Sequence, residues 1–534
     1  MPRNPMVITT IRYAANARER DVRWFRRSND PTLERFSLSC YHSPTDIHDA
    51  TRSRAMNYEL VVGLEVHSQL LTDSKMFCGC SASYQASPPN THTCPVCLGL
   101  PGALPVLNQR AVDYTIRLGL ALNCEIARVT KWDRKNYHYP DLPKGYQISQ
   151  YDMPLCHDGW LEVEVEGETR RIGIRRVHLE EDTGRSLHQG GRSLIDFNRS
   201  GVPLIEIVTE PDIRSPEEAR QLLQKLRTVI RYIGVGSGDL EAGAMRLEPN
   251  VSVRPAGRDE FGTPVEVKNL NSFRAVKLAL EYEQARQAEA LEAGGTIVRE
   301  TRGWVESRGE TVSQRLKEAA DDYRYFPEPD LPPLRIDEAW ISAVRREMPE
   351  LPDAKSARFQ RALALTSYDA TVLTAERETA DWFEAAVSVA AAQGIDAKTV
   401  SNWITGELFR LSSASGQPFM ALPITQEALV ELIALVEKKT ISQNTGKAVL
   451  ERMIESGRSA AEIVEADGLA QISDSEALIG AVRQVIANAP DEVQKYRDGK
   501  RSVIGYLVGQ VMKATRGKAN PQLVKELLAD ELAE

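Results

Sequence analysis

The sequence predicts an α+β protein, with a mixed and largely antiparallel sheet domain followed by all-α helical and tail domains. Short segments that alternate apolar and polar residues recur up to residue 268, and helical patterns lie between them. A proline-rich stretch at residues 327–333 then interrupts the chain, and such runs are stiff and mark boundaries. Beyond it, nearly every segment has the apolar periodicity of an amphipathic helix.

Length and composition exclude several classes of protein. The 534 residues allow two to four domains of about 150 residues each. The net charge of −9 provides no global basic field, so any RNA contact must come from a local patch. No apolar run is long enough to span a membrane. Seven cysteines, four of them clustered, favour a reducing compartment, and we therefore predict a cytoplasmic protein without membrane contact.

Residues 1–55 differ from the rest of the chain. They are rich in Arg, contain scattered acids and show no sustained periodicity. Organelle transit peptides are also Arg-rich, but they are poor in acids. We therefore favour a disordered extension, or a start codon assigned too far upstream with Met56 as the working start.

Residues 56–335 are predicted to form the first domain. Its first strand, at residues 60–67, has one apolar face and one mixed face because side chains alternate. Pro216 suits the first turn of a helix. The predicted strands are residues 60–67, 161–166, 171–179, 202–208, 251–254 and 264–268, and the predicted helices are 109–121, 216–232 and 273–293.

Helices dominate the remaining chain, which we divide into a helical domain at residues 336–462 and a small tail domain at residues 463–534. The predicted helices of the helical domain are residues 336–348, 353–365, 377–393, 399–411 and 425–438.

The stretch from Leu194 to Asp212 is predicted to be a strand, a tight loop and a second strand. Asn198 and Gly201 tolerate the backbone angles of a sharp reversal. The second strand is apolar, yet it contains Glu206, and a buried carboxylate is costly unless a cation or strong donor meets it. This conflict marks a candidate site.

Other acids and one histidine offer partners for Glu206. Glu65 and His67 project from one face of the first strand, and either Glu180 or Glu181 faces the site from another. Glu241 lies beside a flexible Gly. One His with several carboxylates favours a hard divalent ion such as Mg²⁺. The alternative is a series of solvated charges on exposed strand faces.

Four cysteines have the spacing of a structural zinc site. Cys78 and Cys80 are followed, after thirteen residues, by Cys94 and Cys97. The first pair is tighter than the usual spacing, and the alternative is four unrelated thiols. The remaining cysteines, Cys40, Cys124 and Cys156, are expected to be inert.

Two basic segments are candidates for phosphate contacts. Residues 131–147 mix Arg134, Lys135 and Lys144 with aromatics that could stack a base; the alternative is an irregular surface loop. No Walker-type phosphate loop occurs, so an ATP site must be of another kind. In the tail, the following residues suit an RNA backbone, or else a solvated helix face: Lys495, Arg497, Lys500, Arg501, Lys513, Arg516 and Lys518.

Long, ordered motifs lie at residues 63–67, 133–137, 146–150, 196–212, 267–273 and 321–330. Together they resemble the B-subunit (GatB) family of aspartyl/glutamyl-tRNA amidotransferases, and the resemblance runs from about residue 58 to the C-terminus. It implies a cradle-shaped catalytic domain, a helical domain and a tail that holds tRNA. It also implies ATP- and Mg²⁺-dependent phosphorylation of Glu on tRNA(Gln) or Asp on tRNA(Asn), followed by amidation. Ammonia would come from an amidase-type A subunit, with a small C subunit completing a heterotrimer.

The resemblance also implies roles for particular residues. Apart from the resemblance, Arg199 in the predicted turn at residues 198–201 is expected to be free to face substrate. Ala242 and Leu247 depart from the family pattern, which alters the expected number of metal ligands. The implied catalytic residues are Glu65, His67, Glu181, Glu206 and Lys144, the implied Mg²⁺ ligands are Glu65, His67, Glu180 or Glu181, Glu206 and Glu241, and Lys135 is implied near the phosphates. From the residues themselves, Arg134 and Arg199 are added to Lys135 as candidate cofactor-binding residues.

Two other classes of function are open at this point. The chain could be a non-catalytic tRNA-binding scaffold with degenerate acids, or a stand-alone metal hydrolase that needs no ATP. It carries no Gly/Ser-rich amidase signature, so we expect that it does not make its own ammonia.

Overall fold

The computed structural model describes residues 58–316, 323–470, 475–515 and 519–533. The predicted extension at residues 1–55, Cys40, Met56, Arg516 and Lys518 lie outside the described residues. The strands are β1 (Tyr58–Gln69), β2 (Glu125–Ile126), β3 (Val129–Thr130), β4 (Asp133–Asn136), β5 (Tyr146–Ser149), β6 (Cys156–Val165), β7 (Glu168–Glu181), β8 (Arg185–Gln189), β9 (Arg192–Asp196), β10 (Pro203–Thr209), β11 (Met245–Pro255), β12 (Val265–Lys268), β13 (Glu300–Val305), β14 (Glu310–Leu316), β15 (Phe326–Pro327) and β16 (Leu334–Arg335).

The main sheet confirms the predicted α+β class. Its nine strands have the order β14-β13-β12-β11-β1-β10-β7-β6-β2, so β1 and β10 are central. Every neighbouring pair in it is antiparallel except β12 and β13. Three small sheets accompany it, namely β15-β4-β5, β16-β3 and the hairpin β8-β9.

Three helices cover one face of this sheet: α1 (Gln109–Ala121), α2 (Pro216–Tyr232) and α3 (Phe273–Glu292). Each begins where a side chain can cap it. Ser215 accepts from the Glu218 amide and Pro216 occupies the first turn, which fixes the start of α2 as predicted. The inward residues of β1, including Val62, Leu64 and Val66, pack in the resulting core.

The predicted strand, loop and strand around Glu206 are confirmed as β9, a turn and β10. Gly201 in the turn has a φ of +87°, a conformation that favours glycine. A Cβ there would lie 3.4 Å from Cys97, so the turn also approaches the cysteines closely.

The proline-rich segment folds back onto the sheet domain. β15 pairs with β4 and β16 pairs with β3. Between them, Glu328 is buried and Leu331 joins the main core. The segment therefore contributes to the first core as well as ending it, and that core continues to Val344.

The rest of the described chain is helical, with a second core before residue 470 and a third formed by the tail. Where one helix is predicted at residues 399–411, the structure has α8 (Ala397–Asn402), a π-helix (Trp403–Leu408) and α9 (Phe409–Ser415). Trp403 of the π-helix packs close to Gly446. The domain boundaries at 335 and 462 stay predictions. The helices are α4 (Glu338–Arg346), α5 (Pro352–Leu363), α6 (Ser367–Leu373), α7 (Arg377–Ala391), α8 (Ala397–Asn402), α9 (Phe409–Ser415), α10 (Gln426–Glu437), α11 (Gln443–Ser456), α12 (Ala460–Ala466), α13 (Ser475–Asn488), α14 (Pro490–Arg497), α15 (Ile504–Ala514) and α16 (Pro521–Ala533).

Within the described ranges, none of the helices combines the length and the apolarity needed to cross a membrane.

A buried ionic network attaches α3 to the sheet edge and yields a stability prediction. Glu283 is fully buried, and it accepts from Arg286 at 2.7 Å and contacts Arg302 of β13 at 3.1 Å. We expect Glu283→Gln to lower the free energy of unfolding by about 3–5 kcal/mol, because Arg286 loses its carboxylate partner and Arg302 keeps only Glu300. Urea denaturation tests this. The control, Glu289→Gln on the exposed side of α3, should change stability by less than about 0.5 kcal/mol.

Candidate active site

The face of the main sheet opposite α1, α2 and α3 carries the acids that the sequence singled out. Because side chains alternate along β1, Glu65 and His67 point away from the apolar core. The strand register places Glu206 of β10 beside His67, and His178 of β7 beside Glu206. These side chains therefore form one row across three neighbouring strands.

His67, Glu180 and Glu206 form a compact set that we call the histidine group. One ligand atom from each lies within 4.8 Å of the others. His67 Nε2 is 3.4 Å from Glu206 Oε2 and 3.6 Å from Glu180 Oε1, and His178 Nε2 is 3.3 Å from Glu206 Oε2. Glu180 and Glu206 are both buried. The structure thus assigns Glu180, rather than Glu181, to the face that carries His67.

The electrostatics of the histidine group favour a cation at its centre. Burial alone would lower the pKa of His67, yet Glu206 and Glu180 raise it to about 9. Burial favours the neutral form of Glu206, but His178 and His67 hold its pKa well below the usual value. The Nδ1 atoms of His67 and His178 are buried and make no hydrogen bond. A divalent ion fits this donor set, since its charge would replace the imidazolium proton.

A second set, the carboxylate group, lies next to the first on the same face. Glu65 is directly opposite Glu248 of β11, and with Glu266 of β12 their oxygens lie within 4.8 Å of one another. Burial, followed by the neighbouring carboxylates, raises the pKa of Glu65. Asn250 donates to Glu65 at 3.0 Å, and Lys268 donates to Glu248 at 2.9 Å. Crowded carboxylates of this kind also suit a hard cation.

The single metal set predicted from the sequence is therefore divided between two groups. Glu65 belongs to the carboxylate group, whereas His67 and Glu206 belong to the histidine group. Glu241 is exposed in the turn before β11, and among the described residues it joins neither. The roles of Glu248 and Glu266 were not predicted; alternation along their strands is the signal that could have found them.

Glu181 faces a different space from Glu180. Its carboxylate accepts from the Lys144 ammonium and, at 3.0 Å, from the Ile148 amide. The pair lines a cavity whose other wall includes Cys97 and Leu100. The predicted residues Glu181 and Lys144 thus lie together, next to the cysteines.

Lys135 is a predicted cation that lies close enough to the histidine group to interact with its two acids. Burial would lower its pKa, but Glu180, Tyr325 and Glu206 hold it above the usual value, so the side chain keeps its charge. Arg134 is engaged elsewhere, because its Nε and Nη2 each donate to the buried Glu328 carboxylate at 2.7 Å.

The expectation that Arg199 is free to face substrate is wrong. Its guanidinium donates to the carbonyls of Thr183 and Gly184 at 2.9 and 2.7 Å, which ties the turn before β10 to the end of β7. Buried Asp182, which was not predicted, is the anion nearby: it accepts from Gln69 at 2.8 Å and from Arg246 at 3.0 Å. These contacts position the strands that carry the two acidic groups.

The four predicted cysteines converge. The sulfurs of Cys78, Cys80, Cys94 and Cys97 lie within 4.8 Å of one another, and a tetrahedral Zn²⁺ would require sulfurs about 3.8 Å apart. The site can therefore hold a metal such as zinc. Cys124 and Cys156 are buried elsewhere, with thiol pKa values raised by burial, which agrees with an inert role.

The cysteine segment is hydrogen-bonded to the turn before β10. Asn198 donates to the Pro88 carbonyl at 2.7 Å and accepts from the His92 amide at 2.8 Å. Ser200 donates to the Cys97 carbonyl at 3.4 Å. The cysteines therefore help to fix the turn from which the Glu206 strand begins.

Lys75 is an unpredicted, fully buried cation behind the cysteines. Its Nζ donates to the His92 carbonyl at 2.7 Å and to the Phe197 carbonyl at 3.3 Å, and it lies 3.7 Å from Cys97 Sγ. Among the described residues, no carboxylate lies within 4.0 Å of this ammonium. A tetrathiolate metal site would supply the missing negative charge.

We expect Lys75→Met to weaken zinc binding by about 10-fold to 100-fold, since the variant removes the nearest charge that compensates the thiolates. Transfer of zinc to a chromophoric chelator measures this. The control is Lys277→Met on α3, which should retain zinc as the unmodified protein does. If Lys75→Met retained zinc as well as the unmodified protein does, the role of this lysine would be limited to its hydrogen bonds with two carbonyls.

The basic tail is partly as expected. Lys495, Arg497, Lys500, Arg501 and Lys513 are all exposed on or between α14 and α15. Tyr506 is 52% exposed, but Tyr496 is buried, with the Arg501 guanidinium 4.6 Å from its ring centre. The cations are thus accessible, whereas of the two tyrosines among them only Tyr506 is.

The fold and the site together define the class of this protein: a mixed-sheet domain that carries two acidic groups on one face and a cysteine cluster beside them. A family model described as the GatB/GatE catalytic domain matches residues 60–342, and a model described as the GatB domain matches residues 381–532. The chain belongs to the GatB family.

Curated relatives match about nine tenths of this chain. Sequence identity is 54% over 479 residues to the B subunit of the aspartyl/glutamyl-tRNA(Asn/Gln) amidotransferase from Caldanaerobacter subterraneus subsp. tengcongensis, covering 90% of this chain and 100% of the relative. It is 55% over 481 residues to the B subunit of the same name from Roseiflexus sp., covering 90% and 99%. The B subunit from Carboxydothermus hydrogenoformans is 54% identical over 482 residues, covering 89% and 99%.

Proposed function

We propose that this chain is the subunit of a glutamine-dependent tRNA amidotransferase that activates and amidates the misacylated amino acid. Its substrate is Glu-tRNA(Gln) or Asp-tRNA(Asn). ATP phosphorylates the side-chain carboxylate, and ammonia then converts the acyl phosphate to Gln-tRNA(Gln) or Asn-tRNA(Asn). The amidase-type A subunit supplies the ammonia, a small C subunit completes the heterotrimer, and the complex works in the cytoplasm.

The observation that carries this proposal is the pair of acidic groups on one sheet face. Phosphorylation of a carboxylate brings two anions together, so the site must neutralise charge and position the reactants. The histidine group and the carboxylate group would hold Mg²⁺ through Glu65, His67, Glu180, Glu206 and Glu248. Magnesium bound there supplies positive charge to phosphate oxygens.

The residues of the chain complete this charge arrangement. The Lys135 ammonium lies beside the histidine group and provides a fixed positive charge for a phosphate. The γ-phosphoryl group moves from ATP to the side-chain carboxylate, and ADP leaves. Ammonia then attacks the carbonyl carbon, inorganic phosphate leaves, and one proton is lost. No covalent bond to the protein is needed.

The zinc and RNA contacts have supporting roles in this proposal. Four thiolates close the coordination shell of zinc, so the role of the metal is structural. The exposed cations of the tail bind the tRNA backbone by charge neutralisation.

The buried state of the acids favours catalysis over a scaffold role. Glu180 and Glu206 are each under a tenth exposed, and burying carboxylates is costly where no cation is to be bound. A non-catalytic scaffold would have no need for buried carboxylates, since degenerate acids could remain solvated without that free-energy cost. A metal hydrolase would act without ATP, and ATP dependence separates it from the amidotransferase.

One assay tests the function. The protein is purified with its A and C partners and incubated with Glu-tRNA(Gln) or Asp-tRNA(Asn), ATP, and either glutamine or an ammonium salt. We expect amide product only when ATP is present, with ammonium replacing glutamine. Binding of tRNA without ATP-dependent product would instead favour the scaffold.

A further inference from the structure

Five tyrosines gather beside Lys135 and have no role in the reaction as proposed. They come from three separated parts of the chain: from the loop after β4, from the residue that follows β5 by two positions, and from the segment before β15. We call them the tyrosine cluster: Tyr137, Tyr139, Tyr151, Tyr323 and Tyr325.

The rings form a continuous chain of contacts. Tyr151 stacks on Tyr325, with ring centres 4.3 Å apart and planes 14° from parallel. Tyr323 meets Tyr325 and Tyr137 edge to face at 6.2 and 5.8 Å, and Tyr137 meets Tyr139 at 6.0 Å. The cluster is therefore a preformed aromatic surface.

Much of this surface is open to solvent. Tyr139, Tyr151 and Tyr323 are 54%, 53% and 42% exposed. Exposed aromatic rings that are packed together form an apolar patch, and such patches mark sites of ligand contact. Rings of this kind stack nucleobases without needing a particular hydrogen-bond pattern.

Backbone geometry fixes the cluster at a conformational cost. Arg324, between two of the tyrosines, has a φ of +42°, in the left-handed region that a non-glycine residue rarely adopts. Asn136 of β4 holds it there by donating to the Arg324 carbonyl at 2.7 Å. The two tyrosines precede β15, which pairs with β4, the strand that carries Lys135.

The cluster adjoins the phosphate-binding cation and the acidic groups. Lys135 Nζ lies 5.0 Å from the centre of the Tyr323 ring. Ser149 of β5, two residues before Tyr151, donates to Glu180 at 3.3 Å. Burial, and then Glu180 and Glu206, raise the pKa of Tyr325 to about 12 against the effect of Lys135, so its ring stays uncharged.

We propose that the tyrosine cluster is a stacking platform for an adenine ring, with Lys135 meeting an attached phosphate. This inference rests on the proposed function, whose substrates contain adenine in ATP and in the terminal adenosine of tRNA. Both sources share the same chemistry, a flat purine joined through ribose to phosphate.

Binding to the assembled complex tests the platform. The probes are ATP, inorganic triphosphate, and a stable adenosine analogue that carries an amide-linked glutamyl group at its 3′ position. We expect Tyr323→Leu to weaken the binding of ATP or of the analogue by about 5-fold to 100-fold, and to leave the binding of inorganic triphosphate unchanged. Tyr323→Phe keeps the ring and should bind as the unmodified protein does.

Two further variants keep the test sharp. Tyr139→Leu removes a ring that is 54% exposed, so this variant should fold even if Tyr323→Leu does not. It should also weaken the binding of ATP or of the analogue while leaving the binding of inorganic triphosphate unchanged. Tyr368→Leu, at a tyrosine that is 75% exposed on α6, is the matched control and should bind all probes normally.

The outcomes are distinct. Weaker binding of ATP alone would mean that the adenine of ATP occupies the platform. Weaker binding of the analogue alone would mean that the terminal adenosine of tRNA occupies it. Both results support the platform. Unchanged binding of both adenine probes, or an equal loss in Tyr323→Phe, overturns it. Failure of the proposed function would appear separately, as an unmodified complex that makes no amide, because the binding measurements need no turnover.

Discussion

Glu206→Gln is expected to reduce ATP-dependent amide formation by about 100-fold to 1000-fold while leaving the affinity for charged tRNA unchanged. Glutamine has the shape of glutamate but lacks its charge. Glu206 is the acid that contacts both His67 and His178, at 3.4 and 3.3 Å. Without it, the histidine group has one carboxylate left, and the proposed Mg²⁺ site loses a ligand. Rate measurements with saturating charged tRNA, together with a separate filter-binding assay, distinguish the two effects.

The same strand offers a matched control. Glu210 follows β10, and its carboxylate pairs with exposed Arg175 at 2.7 Å, away from both acidic groups. Glu210→Gln makes the same chemical change without touching the site, so its activity should be near normal. If Glu206→Gln turned over normally, Glu206 would be structural and the proposed metal set would need another acid.

Cys97→Ser is expected to remove zinc and, with it, most of the amidation activity. A serine hydroxyl does not replace a thiolate in a closed tetrahedral shell, and zinc binding contributes directly to local folding. Loss of zinc is expected to disturb the strand that carries Glu206, because the cysteine segment is hydrogen-bonded to Asn198 and Ser200 in the turn before β10. Elemental mass spectrometry measures the zinc content, and the amide assay then measures the loss of amidation activity.

Cys124→Ser provides the comparison, because Cys124 is buried outside the cluster. It should retain zinc even if it lowers stability slightly. A Cys97→Ser protein that kept its zinc would contradict the four-cysteine site. A zinc-free protein with full activity would show instead that the cysteine segment and the Glu206 strand are independent.

Much of the fold follows from local patterns. Alternation in β1 and the apolar run of β10 predicted strands that the structure confirms, because a half-buried strand must separate apolar from polar side chains every second residue. The helix from Pro216 to Tyr232 has its predicted ends, since a serine cap and a first-turn proline fix its start. The short strands β2, β3 and β8 were not predicted, because strands of a few residues leave little periodic signal.

The candidate site was less accessible to sequence reasoning. Alternation separates Glu180 from Glu181, but it does not say which face meets His67. Only the register of β7 against β10 decides that, by placing His178 beside Glu206. Likewise Arg199 has the chemistry of a substrate contact, but the tertiary structure uses its donors for the carbonyls of Thr183 and Gly184.

The sequence by itself determined the fold class, the family, the four-cysteine cluster and the strand that carries Glu206. Each of these depends on residue types and their spacing along the chain, and none requires knowing which distant segments meet in space. The tertiary structure alone decided that Glu65 pairs with Glu248 and Glu266 while His67 pairs with Glu180 and Glu206. It also brought Lys75 to the cysteines and five tyrosines to Lys135. The physical reason is that strand order and register join residues far apart in the chain, and no local pattern specifies those pairings.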